Sequence, residues 1–233
     1  MILITGASRG IGKFLFEKYV EYNDVRVAGT FCKTHCDEKY RMNFSPIDIN
    51  NFTQVYIWVN TICETMIRLL DDKLILLNCA GINYNAMAHK SQFQKWSDVV
   101  ETNLIGTFNV IHQVLPIMRQ NNYGRIINFG SVMAKAGVPG TSAYAASKSG
   151  LLGMTKAIAT ENGNKGITIN TINLGYFNIG MIGEVPGEQQ EKIKAKIPCG
   201  KFGDPEQIWN TVNYIVNNDY LNGAEIDLNG GIV

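Results

Sequence analysis

Tyr144 and Lys148 stand four residues apart in the run Tyr144-Ala-Ala-Ser-Lys148. On a helix that spacing puts both side chains on one face, about 6 Å apart along the axis. A phenol of pKa ~10 exchanges protons poorly at neutral pH, and an ammonium one turn away stabilises its phenolate. A lowering of about three units corresponds to roughly 4 kcal/mol of differential stabilisation. Such a pair can give a proton to an alkoxide or take one from an alcohol. Two further residues suit the same chemistry. Ser131 ends an apolar run, where a hydroxyl would project at a sheet's carboxyl edge, and Asn103 can bend the helix that carries it and hold a water.

Positioning those groups requires a particular order of elements. Short apolar runs predict strands over Ile2–Thr5, Val25–Thr30, Tyr40–Ile47, Leu74–Asn78, Arg125–Phe129, Ile167–Ile172 and Glu225–Leu228. Longer amphipathic runs predict helices over Ile11–Glu21, Phe52–Leu70, Phe93–Gln120, Ala143–Glu161 and Pro205–Asn217. Strands alternating with helices imply a parallel sheet covered on both faces, with ligands at its carboxyl edge. The stretch from Thr30 to Tyr40 is too short for a crossover containing a full helix, so a loop or a single turn is expected there. No linker or repeat divides the chain, which reads as one domain over residues 1–233.

Composition excludes several classes. The chain has 233 residues, 45% hydrophobic and 18% charged, which excludes intrinsic disorder. Its 21 basic and 20 acidic side chains nearly cancel, so no nucleic-acid partner is expected. No run of ~18 apolar residues is present, so no membrane partner is expected. The opening Met1-Ile2-Leu3-Ile4 carries no leader pattern, and five cysteines beside a large core read as reduced thiols in a cytoplasm. Cys32, His35 and Cys36 lie close together, but no second ligand cluster accompanies them, so no metal is expected.

The first strand runs into Thr5-Gly6-Ala7-Ser8-Arg9-Gly10-Ile11-Gly12 and then a helix. Glycines in such a turn let the backbone approach a pyrophosphate, which the helix N-terminus attracts. The second strand ends in Thr30-Phe31-Cys32-Lys33 without an acid. Arg9 and Lys33 suit a ribose 2′-phosphate, so NADPH is expected over NADH.

Together these residues resemble the short-chain dehydrogenase/reductase family: the glycine turn, Asn78-Cys-Ala-Gly81, Asn103, Ser131 and Tyr144-x-x-x-Lys148 follow its order and spacings across essentially the whole chain. Within it, Glu101-Thr-Asn-Leu104 and Gly124-Arg-Ile-Ile127 are similar to the 3-oxoacyl-acyl-carrier-protein reductases. The resemblance implies a single Rossmann-type, doubly wound α/β domain with a seven-stranded parallel sheet and helices on both faces, and the short stretch after Thr30 leaves its third helix shortened or absent. It implies reduction of a ketone, foremost a 3-oxoacyl thioester, with an alcohol dehydrogenase of sugars or steroids as the alternative. Tyr144 would donate the proton, Lys148 tune it and bind the nicotinamide ribose, Ser131 hold the carbonyl oxygen, and Asn103 anchor a relay water. Gly6, Ser8, Arg9, Gly10, Ile11, Gly12, Thr30, Lys33, Asp48, Ile49, Asn78, Ala80, Gly81 and Phe177 would complete the cofactor contacts.

Two positions depart from the family pattern. Leu174 replaces a proline, and Ile179 replaces a threonine that reaches the cofactor amide. The glycine- and proline-containing stretch at about 176–203 reads as a substrate lid, with Met181 and Ile182 facing an acyl chain. Arg125 and Lys165 match positions that dock an acidic acyl carrier protein. Ala143, Ala146, Gly150, Gly153 and Ala157 form a small-residue stripe that suits a subunit contact, and the family implies a homotetramer or homodimer. A sugar-nucleotide epimerase would need a further substrate domain, and a pure NADP(H) sensor would not need the four catalytic positions.

Overall fold

A computed structural model describes residues 1–22, 25–66 and 73–233. Strands β1 (Ile2–Thr5), β2 (Val27–Phe31), β3 (Phe44–Pro46), β4 (Ile75–Asn78), β5 (Gly124–Ser131), β6 (Ile167–Leu174) and β7 (Glu225–Leu228) form one sheet. Its order is β3-β2-β1-β4-β5-β6-β7, and every neighbouring pair is parallel. Chain order reverses between β1 and β4, which opens the crevice at their carboxyl ends.

The sheet's two faces follow from alternation along each strand. Leu3, Leu76, Ile126 and Ile169 point to one side, where α2 (Phe52–Met66), α4 (Thr107–Asn121) and α5 (Ser142–Asn162) bury Val55, Val110, Ile111 and Ile158. Ile2, Ile4, Leu77, Ile127 and Ile172 point to the other, against Leu15 and Phe16 of α1 (Gly10–Glu21) and Ile208 and Val212 of α7 (Pro205–Val216). Both faces are covered, as the near-continuous apolar strands require.

Two expectations need adjustment. The strand expected from Tyr40 begins only at Phe44, because Glu38–Asn43 forms a 3-10 helix. That turn stands where a third crossover helix would be, and it seats the Tyr40 ring 5.3 Å from the Phe16 ring. The long helix expected over Phe93–Gln120 is split: α3 (Phe93–Val100) passes through a π-helical turn, Glu101–Gly106, into α4. Of the helix expected over Phe52–Leu70, residues 67–70 lie outside the described residues.

A buried polar row crosses the sheet beneath the carboxyl edge. Asn78 donates to Asn128 (2.9 Å), Asn128 donates to Thr155 on α5 (3.0 Å), and Thr155 and Thr171 share a hydrogen bond of 2.8 Å. Asn128, Thr155 and Thr171 are fully buried, so these bonds replace water and fix α5 to β5 and β6.

Candidate active site

The glycine turn is held from both sides. Thr30 Oγ1 accepts the Gly6 N–H (3.2 Å), Thr30 O accepts the Ala7 N–H (2.8 Å), and Thr5 Oγ1 accepts the Ala80 N–H (3.2 Å). Gly6 has φ +62°, and a Cβ there would lie 2.7 Å from Ala80 Cα, so no other residue fits. The N-cap of α1, Arg9, makes no side-chain cap, which leaves the first N–H groups of α1 to an external anion. This cradle fits a dinucleotide pyrophosphate. Thr30, expected among the cofactor contacts, is instead buried to 1% exposure and supports the turn from beneath. Ile49 likewise turns its side chain into the core, while the Asp48 carboxylate accepts the Asn50 N–H.

Charge beside the turn is unevenly spent. Lys13 pairs with Asp37 at 3.0 Å, and Lys39 lies 4.4 Å from the Tyr40 ring centre. Arg9 and Lys33 are exposed and form no ion pair with the described carboxylates. Asp37, the acid that follows β2, is thus neutralised within the chain.

The four proton-handling candidates meet at the carboxyl edge. Ser131 closes β5, and its hydroxyl favours the ionised form of the Tyr144 phenol at the start of α5. One turn on, Lys148 reaches back under the sheet edge and donates to Phe129 O at 2.6 Å, its ammonium 5.6 Å from the Tyr144 ring centre. Gly81 is the common neighbour: a Cβ there would lie 3.2 Å from Asn103 Oδ1 and 3.9 Å from Lys148 Nζ.

Asn103 sits fully buried in the π-helical turn. Its Oδ1 accepts the Ile82 N–H (2.8 Å), and its Nδ2 donates to Ile82 O (2.9 Å) and Ser147 Oγ (3.1 Å). Ser147 passes that link on to Tyr144 O at 2.8 Å. Both amide hydrogens of Asn103 are therefore committed to tying the β4 loop to the catalytic helix. Sequence reasoning missed Ser147; its place three residues after Tyr144, on the buried side of the same helix, was the available signal.

The pKa pattern corrects one expectation. Burial pushes the Tyr144 phenol up to about 12, partly opposed by the Ser131 hydrogen bond. Burial also lowers Lys148 to about 8, against a smaller upward pull from Cys79. In the chain by itself the lysine does not acidify the phenol, because low polarity penalises the charged form of each.

Beyond β6 the chain makes a pinned excursion. Phe177 and Gly203 form a parallel bridge, with Asn178 N donating to Gly203 O and Gly203 N to Tyr176 O, both at 2.9 Å. A Cβ on Gly203 would lie 2.5 Å from the Phe177 ring. Between the pins lie a 3-10 turn, Gly180–Glu184, and α6 (Gly187–Lys194). The excursion starts against the glycine turn: a Cβ on Gly10 would stand 3.4 Å from Gly180 Cα. Phe177 and Ile182 are buried; the Met181 side chain lies outside the described residues.

Two surface expectations are corrected. Arg125 cannot meet an acyl carrier: it is 6% exposed, and its guanidinium donates to Val216 O, Gly124 O and Gly166 O. It and the half-buried Lys165 also flank the amino ends of β5 and β6, opposite the edge that carries Ser131. The small-residue stripe of α5 does not form one outward face. Ala146, Gly153 and Ala157 are exposed, but Ala143 is buried and Gly150 abuts Leu104 of the π-helical turn.

Comparison with known proteins agrees with this geometry. The family model for short chain dehydrogenases matches residues 1–190. The chain is similar to the acetoacetyl-CoA reductase of Rhizobium meliloti (strain 1021), 35% identical over 239 residues that cover 98% of this chain and 96% of that protein. It is also similar to a 3-oxoacyl-acyl-carrier-protein reductase of Vibrio cholerae, 33% identical over 236 residues covering 99% and 96%. Among solved structures, ElxO with NADP bound shares the fold with a TM-score of 0.89 at 23% identity, covering 99% of this chain and 97% of that one.

Proposed function

The chain is an NAD(P)-dependent oxidoreductase that belongs to the short-chain dehydrogenase family, and from that premise we propose that it uses NADPH to reduce the ketone of a 3-oxoacyl thioester to a secondary alcohol. The observation that carries the reading is the Lys148 ammonium, anchored on Phe129 O and 5.6 Å from the Tyr144 ring centre, with Ser131 at the end of β5 acting on that phenol.

The chemistry supplied by NADPH when bound is hydride donation. Gly6, Ser8, Gly10, Ile11 and Gly12 would line the pyrophosphate cradle, Arg9 and Lys33 would hold the 2′-phosphate, and Asp48, Asn78, Ala80 and Gly81 would flank the adenosine. Asn78 Oδ1 is buried and has no hydrogen-bond partner among the described residues. The Phe177 backbone would serve the carboxamide. A phenol held near 12 is fully protonated at neutral pH, the state needed to hand a proton to a nascent alkoxide. Ser131 Oγ would orient the carbonyl oxygen beside that phenol. Lys148 supplies positive charge as the phenolate forms, its ammonium aimed by Phe129 O. Asn103 fixes the spacing of the β4 loop and α5 and would anchor a relay water linking Lys148 to solvent.

The excursion pinned at Phe177 and Gly203 is the lid in this reading, and exposed small residues of α5 suit a homodimer or homotetramer. The test is Tyr144→Phe assayed with NADPH and acetoacetyl thioester. kcat is expected to fall by about 10²–10⁴-fold, with the NADPH Kd, read by fluorescence titration, unchanged. Normal turnover of the variant refutes the mechanism. Turnover of sugars or steroids by the unmodified protein in place of thioesters refutes the substrate.

A further inference from the structure

With Arg125 turned inward, a carrier-bound substrate would need another landing surface, and the carboxyl edge offers one. From Lys73 to Ser97 the chain contains no Asp or Glu. The part after β4 is well ordered by its own contacts. Ala86 N donates to Gly140 O at 2.9 Å, Gln92 N donates to Tyr84 Oη at 3.1 Å, and Trp96 Nε1 donates to Ser142 Oγ at 3.1 Å. Ser142 is the first residue of α5 and precedes Tyr144 by two positions, so this surface is tied directly to the catalytic helix.

Its outer side combines cations with bare apolar groups. His89, Lys90 and Lys95 are exposed, and Met87 and Phe93 are 50% and 80% exposed. Lys95 is steadied 5.8 Å from the Tyr84 ring centre. Neither Lys90 nor Lys95 pairs with a described carboxylate, whereas Lys135, Lys192 and Lys194 are each paired to Asp or Glu. An exposed aromatic between unpaired cations is the arrangement an interface core with an electrostatic rim requires.

We propose that the surface formed by Met87, His89, Lys90, Phe93 and Lys95 docks an acidic carrier protein that presents the thioester to Tyr144. This rests on the thioester reading above. Complementary charge steers encounter, and Phe93 is the apolar anchor.

The experiment compares Lys90→Glu/Lys95→Glu with the unmodified protein in two readouts. Binding is measured by fluorescence anisotropy of labelled holo-acyl carrier protein. Turnover is measured with acetoacetyl groups on that carrier and on coenzyme A. The double variant is expected to weaken carrier binding and raise the carrier-substrate KM at least tenfold, to flatten the salt dependence of both, and to leave the coenzyme A thioester rate within twofold. Phe93→Ala should weaken carrier binding without changing its salt dependence. An equal loss on both substrates, or unchanged carrier binding, overturns the surface. So does a carrier defect produced by Lys165→Glu but not by the double variant. Carrier binding that depends on Lys90 and Lys95 in a protein that reduces no thioester keeps the surface and refutes the substrate reading instead.

Discussion

Replacing Lys148 with Met should abolish turnover and stabilise the fold. Lys148 is 7% exposed, and burial brings its pKa from 10.5 to about 8. At about 1.4 kcal/mol per unit, carrying the charge costs the folded state about 3 kcal/mol at pH 7. Met fills the same volume without charge but strands Phe129 O, which gives back about 1 kcal/mol. The net gain is about 2 kcal/mol, or a Tm rise of about 4–8 °C for a chain of this length. The pH dependence carries the sharper test. The folded pKa is depressed, so below pH 8 both states are protonated and the cost is present in full. Between about 8 and 10.5 the unfolded chain binds more protons, and stability of the unmodified protein rises with pH. Urea unfolding of both proteins should show their gap narrowing by about 2 kcal/mol from pH 7 to 9.5. A gap that stays constant over that range, or a variant less stable at pH 7, refutes the claim that Lys148 is held against a burial penalty.

Two further outcomes are expected. Arg9→Ala/Lys33→Ala should raise the NADPH Kd about 10–100-fold and the NADH Kd less than threefold, because the lost charge-assisted bonds reach only the extra phosphate; equal shifts in a titration with both nucleotides refute the assignment. Asn128→Ala should lower urea stability by about 2–4 kcal/mol, since Asn78 Nδ2 and Thr155 Oγ1 lose buried partners; a loss under 0.5 kcal/mol would show that the polar row does not fix α5.

The architecture was readable wherever one local rule governed. β1, β7 and the helix at Pro205 follow from apolar runs ending in turn residues, and the missing third helix follows from the short stretch after Thr30. The π-helical turn at Asn103 was not readable as such. Its cause is a side chain that must satisfy both Ile82 backbone groups and Ser147, which no periodicity encodes. The same limit applies at Arg125: a cation in sequence looks exposed until Val216 O and Gly166 O are seen around it. The identities of Tyr144, Lys148 and Ser131 were legible from spacing, but the upward shift of the phenol was not, because burial belongs to the assembled fold.

The bridge between Phe177 and Gly203 has an evolutionary corollary. Because Phe177 and Gly203 pin the excursion to each other just beyond β6, a change of length between them need not re-register that strand. The contacts of Gly180 with Gly10 and of Cys199 with Gly230 are what such a change would have to keep.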